Sequence, residues 1–171
     1  MLRPHHPHLP YQDTKPTGAV DFYFVINATF HFITRQLGAA ALRDYWRDLG
    51  TRYYAPVTAM WKRGGLSAVA DYWQDFFSAE PGADVRVTHE ADAVILDVQR
   101  CPAIAHLRAH HRQIHPAFCQ HCYFVSQAIA APAGLTVRIH GGNGTCRQSF
   151  TAASPDDDPQ DLIHIREATS L

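Results

Sequence analysis

Apolar positions recur at helical spacing from Ala19 onward. Phe22, Val25, Ile26, Thr29, Phe30, Ile33 and Leu37 return every three or four residues, the repeat of a helix with one buried face. Gly38 can end that helix in a left-handed turn. A second helix is expected over residues 39 to about 63. Its apolar set is Leu42, Tyr45, Trp46, Leu49, Tyr53 and Val57, and Pro56 marks a kink or a break. Gly64-Gly65 ends it, Ser67 can cap a third helix, and Val69, Tyr72, Trp73, Phe76 and Phe77 form its apolar face before Pro81-Gly82. Such aromatic stripes read first as helix packing and second as the lining of an apolar ligand pocket. His31, set among Phe30, Phe32 and Ile33, reads as a hydrogen-bonded core or boundary residue.

Beyond Gly82 the period changes to two. Val85, Val87 and His89 alternate with polar residues, Glu90-Ala91-Asp92 turns the chain, and Val94, Leu96 and Val98 alternate back toward Arg100. A short helix over residues 103–111 follows, and Pro116 opens another that runs to about residue 130, since proline fits a first helical turn. Residues 135–140 and 146–150, joined by a glycine-rich turn, make a second hairpin. The expected fold is α+β: a helical N-terminal half packed on a four-stranded antiparallel sheet, with the order β-β-α-α-β-β. If the last strand pairs antiparallel to the second, its start lies beside the second strand's end, and Cys101 and Cys146 become neighbours. Residues 1–17, with His5, His6, His8 and four prolines, read as a flexible arm. Residues 18–153 form the single domain and 154–171 an acidic tail, in which Leu162-Ile163-His164-Ile165 could add a strand or dock.

Composition narrows the classes of function. Of 171 residues, 46% are hydrophobic and only 18% charged, with a formal net charge of −1, so phosphate-driven nucleic-acid binding is not expected. No run of about 18 apolar residues suggests a membrane span. The arm lacks the apolar core of a secretory signal, and the expected location is cytoplasmic. The aromatic-rich helices are also candidates for a homodimer interface.

All four cysteines fall in one stretch: Cys101-Pro102, Cys119-Gln120-His121-Cys122, and Cys146 after Gly141-Gly142-Asn143-Gly144-Thr145. In a reducing compartment such a grouping points to metal or redox chemistry before disulfides. His115 lies four residues before Cys119 and can share its helix face, whereas His121 points away from Cys119 and Cys122 on an ideal helix. Helix N-terminal amides would favour thiolates. Three readings stand. Cys101, Cys119, Cys122 and Cys146 hold a Zn²⁺ ion or an iron–sulfur cluster, the choice left open; Cys119 is a nucleophile with His115 as proton relay; or the thiols are reduced, buried small hydrophobes. His110-His111 reads as a solvated face. Arg138 and Arg147 flank the glycine turn and could grip a substrate carboxylate.

The Cys-Pro strand end, the Phe118-Cys119-x-x-Cys122 helix and the glycine turn leading to Cys146-x-x-x-Phe150 resemble the L-2-amino-thiazoline-4-carboxylic acid hydrolase-like family over roughly residues 20–151. A more distant similarity is to small-molecule-binding domains of the 4-vinyl reductase type. The resemblance implies a small α+β enzyme that opens a sulfur- and nitrogen-containing ring by hydrolysis. It matches Cys101, Cys119 and Cys146 to the family's cysteines, while Cys122 stands where the family often carries an acidic residue, a change toward softer metals. The expected activity is thus hydrolytic ring opening of a thiazoline-like carboxylate at a cysteine metal site. The alternative is a binding or sensor module with a structural metal or cluster.

Overall fold

The computed structural model describes residues 17–170, so the arm with His5, His6 and His8 lies outside the described residues. Helix α1 spans Phe22–Asp48 and helix α2 spans Ala55–Ala79. Each is interrupted where the sequence places glycine. Gly38 has φ 86° and Gly65 φ 59°, so the axis turns sharply at both, in a conformation that a Cβ disfavours. A π-helical turn, Leu49–Tyr53, joins the two helices, and Pro56 sits in the first turn of α2, where its missing N–H costs nothing.

Strands β1 (Asp84–His89) and β2 (Ala93–Arg100) form the expected hairpin. Helix α3 (Pro102–Ala109) follows, then a 3₁₀ turn at Pro116–Cys119 that runs into helix α4 (Gln120–Ala130). Strands β3 (Leu135–Gly142) and β4 (Thr145–Ala152) make the second hairpin. β2 pairs antiparallel with β4, so the start of β4 does lie beside the end of β2.

The α+β class and the helical N-terminal half are as expected, but among the described residues the sheet has five strands and is mixed. Its order is β1-β2-β4-β3-β5, with β5 (Ile165–Arg166) parallel to β3 through Gly141 and Gly142. The reason is local. A Cβ on Gly142 would lie 2.5 Å from the Arg166 carbonyl oxygen, so the bare backbone of the glycine turn admits another strand. Two residues are too few to show an alternating pattern. The C-terminal segment is also docked beyond β5: the Ile139 amide donates to Gln160 Oε1 at 2.9 Å, the Ala168 amide to the Pro116 carbonyl at 2.9 Å, and Ala168 is buried.

The sheet turns one face to the helices. Cross-strand rows on that face run Val94–Phe150–Val137, Leu96–Gln148–Ile139 and Val98–Cys146–Gly141. Val57, Trp61 and Val69 of α2 pack against it. A second apolar cluster joins Phe30, Leu42 and Trp46 of α1 to Ile104, Leu107, Phe118 and Phe124. Helix α4 lies between the two, with Cys119, Tyr123 and Val125 touching both. Each large side chain fully buried this way contributes roughly 1.5–3 kcal/mol of transfer free energy. Among the described residues, no helix is long and apolar enough to cross a membrane.

Candidate functional site: a thiol-lined apolar cavity

A cavity of about 170 Å³ opens between the two clusters. One wall is the aromatic face of α2, with Tyr72, Trp73, Phe76 and Phe77. The lining also carries the four cysteines, delivered by three separate parts of the chain. Cys101 follows β2 directly, and its amide donates to the Gly144 carbonyl at 2.9 Å, which ties the strand end to the glycine turn. Cys119 closes the 3₁₀ turn and Cys122 lies one helical turn on in α4. Cys146 reaches the cavity from β4, in the row that holds Val98 and Gly141.

Burial sets the protonation of these thiols. It pushes Cys119 and Cys122 up to about 11 and Cys101 up to about 12, and it raises Cys146 as well. Repulsion from a charged Cys122 adds to the rise at Cys101, Cys119 and Cys146. At neutral pH all four are therefore uncharged S–H groups. Cys119 is the best placed of them to hold negative charge. Its sulfur accepts the Asn143 amide at 3.2 Å, and the Gly144 amide and the Arg108 guanidinium also oppose the effect of burial.

His121 is in the cavity wall, contrary to its expected outward direction on an ideal helix. The cause is the 3₁₀ turn before α4, which winds three residues per turn and brings His121 over Phe118. The rings are 5.2 Å apart, and Nδ1–H donates to the Phe118 carbonyl at 2.7 Å. Because the partner is a carbonyl, Nδ1 carries the proton and Nε2 keeps its lone pair. Burial lowers the pKa of the ring, so it is neutral, and Cys122 Sγ lies 3.8 Å from its Nδ1 and 4.0 Å from its Nε2.

His115 is not in the cavity. It is extended at φ −63°, ψ 128° and caps the 3₁₀ turn, so the four-residue helical spacing to Cys119 does not apply. Its Nδ1 accepts the Ala117 amide at 3.2 Å, which leaves Nε2–H to donate to Thr34 Oγ1 at 2.9 Å. Burial lowers its pKa, and the neighbouring His31 lowers it further. His31 in turn bonds the Gln113 carbonyl at 3.1 Å.

Neither Arg138 nor Arg147 lines the cavity. Arg138 bonds Thr136 Oγ1, the Val137 carbonyl and the Asp158 carbonyl; Arg147 lies 3.4 Å from Asp97. Strand alternation explains both. With Cys146 and Gln148 facing inward, Arg147 between them faces outward, as does Arg138 between Val137 and Ile139. The arginine behind the glycine turn is Arg108 instead. It bonds Asn143 Oδ1 and the Thr169 carbonyl, and Asn143 holds a left-handed φ of 60°. No periodic pattern marks Arg108, although the Asn-Gly pair at the turn marks Asn143.

Among the described residues, no three His, Cys, Asp or Glu side chains are grouped so as to hold a metal ion. Cys146 is opposite Val98 in the β2–β4 pairing, and the bond from the Cys101 amide to the Gly144 carbonyl sets Cys101 beside the turn two residues before Cys146.

No protein-family model, no curated protein and no solved structure matches this chain.

Proposed function

We propose that the protein binds a compact small molecule, about the size of a single ring, in the thiol-lined cavity. The observation that carries this reading is the convergence of four cysteines from three chain segments and four aromatics of α2 on one space of about 170 Å³. An apolar cavity of about 150 Å³ is enough for benzene, whereas drug-sized ligands occupy roughly 300–1,000 Å³. Protonated thiols and ring faces make the surface soft and apolar. His121 Nε2 and the Gln148 amide, itself 3.7 Å from Cys146 Sγ, supply a small number of polar contacts to fix orientation. Chemical-shift mapping with benzene, thiophene, thiazoline and cyclohexane tests the reading. Shifts should concentrate on Trp73, Phe76, Cys122 and Cys146 and vanish when Val98→Phe fills the floor. Shifts scattered over the surface, or unchanged by that variant, contradict it.

A second reading, ring opening of a thiazoline-like carboxylate, is favoured by the bond from the Asn143 amide to Cys119 Sγ. That donor makes Cys119 the thiol best suited to nucleophilic attack. His121, not His115, is then the imidazole within the cavity. Arg108 stands directly behind Gly144, where an added Cβ would meet its Nη1 at 3.3 Å, and Gly144 itself lines the cavity. Turnover of a thiazoline carboxylate, abolished by Cys119→Ser and retained in His115→Gln, is expected under this reading. Full activity in Cys119→Ser sinks it.

A further inference from the structure

We infer that Cys119 and Cys122 are a dithiol pair that small hydroperoxides oxidise to an intramolecular disulfide within the cavity wall. The inference holds whether or not the cavity takes a ligand.

Backbone geometry places the pair. Cys119 has φ −70°, ψ −20° and Gln120 has φ −68°, ψ −24°, both helical. Residues three apart on such a path have Cα atoms roughly 5 Å apart, from the rise and radius of the helix. Disulfides span about 4.4–6.8 Å between Cα atoms, so the Cα spacing of the pair lies within the range of the bond. The other thiols are less suited. Cys101 and Cys146 come from different chain segments, and strand pairing sets Cys146 opposite Val98 rather than Cys101. All four cysteines are free thiols.

The two sulfurs have different roles. Cys119 Sγ, held by the Asn143 amide, attacks a peroxide oxygen. The O–O bond breaks, hydroxide or alkoxide leaves and is protonated, and Cys119 becomes a sulfenic acid. Cys122 Sγ then displaces the hydroxyl from that sulfur. The S–O bond breaks as the S–S bond forms, and the Cys122 proton departs with the hydroxyl as water. In total, two thiols and one hydrogen peroxide give one disulfide and two waters. The cavity admits a molecule of that size but not a bulky peptide disulfide. Since burial holds Cys119 up at about 11, the reaction is slow at neutral pH and accelerates about tenfold per pH unit toward that value.

Trypsin separates the candidates. Cys119 and Cys122 share the fragment of residues 113–138, while Cys101 and Cys146 fall in two others. Reduced, folded full-length protein would be treated with hydrogen peroxide, its remaining thiols alkylated in denaturant, and the digest weighed. The 113–138 fragment should lose two hydrogens and resist alkylation, and it should do so equally in the Cys101→Ser/Cys146→Ser variant. In Cys122→Ser, Cys119 should instead advance to sulfinic acid. Either of two results overturns the inference: a crosslink joining the fragments that hold Cys101 and Cys146, or Cys119 oxidised past sulfenic acid while Cys122 remains alkylatable in the wild-type protein.

Discussion

The Cys101 amide donates to the Gly144 carbonyl oxygen at 2.9 Å, and this bond joins the end of β2 to the turn before β4. Through it, a cysteine that ends one strand and a cysteine that begins another reach the same cavity wall as the Cys119–Cys122 turn. Gly144 is suited to the task, with φ at 110°. An added Cβ there would also press on Arg108 Nη1 at 3.3 Å and Ile104 Cγ2 at 3.5 Å. Gly144→Ala is therefore expected to cost about 1–3 kcal/mol of backbone strain. Urea denaturation reads the effect, and an unchanged midpoint would show that the turn is not constrained.

Asn27 ties α1 to the segment before α4. Its Nδ2 donates to the Gln113 carbonyl at 2.8 Å, and its Oδ1 accepts the His115 amide at 2.9 Å. Asn27→Ala strands the buried His115 amide, at about 1–3 kcal/mol, and leaves the Gln113 carbonyl with its bond to His31 alone. The expected result in chemical denaturation is a loss larger than that of Thr34→Val, which removes only the single bond to the His115 ring.

Stability should fall on both sides of neutrality. His115 and His121 are held below the ordinary imidazole value by burial, so the unfolded chain takes up protons that the folded chain refuses. Their contribution is complete above about pH 6.5 and is lost as pH falls through that value toward their folded pKa. The thiols act in the opposite sense. Unfolded cysteine ionises near about 8.5, while folded Cys119 and Cys122 hold their protons to about 11. Their contribution is whole below about pH 8.5 and is lost as pH rises from there, at no more than about 1.4 kcal/mol per unit for each thiol. Denaturation midpoints measured from pH 5 to 10 check this, with the alkaline limb becoming shallower in Cys119→Ala/Cys122→Ala.

Much of the scaffold was legible because it rests on repeating patterns. The four-residue spacing of Leu42 and Trp46, the glycines at the two kinks, and the alternation of Val94, Leu96 and Val98 each follow from one local rule. β5 was less legible, since two residues carry no period and their pairing depends on what Gly142 lacks. The site was legible in part. That the end of β2 and the start of β4 lie side by side could be read from the expected antiparallel pairing of those strands. The direction of His121 could not, because a 3₁₀ turn before α4 rotates it inward. Arg147 could have been placed correctly: it alternates with Cys146 and Gln148, and if those face the helices, it must face away.

Crystals of the protein soaked in bromobenzene offer the most direct measurement of whether the cavity is a ligand site, because the bromine's anomalous scattering marks where a ring-sized molecule settles. The expected result is a single strong peak between Phe76 of α2 and Cys122 of α4, absent in crystals of Val98→Phe. A cavity without anomalous signal under conditions where the probe occupies other sites would contradict a ligand-binding role for the thiol-lined space.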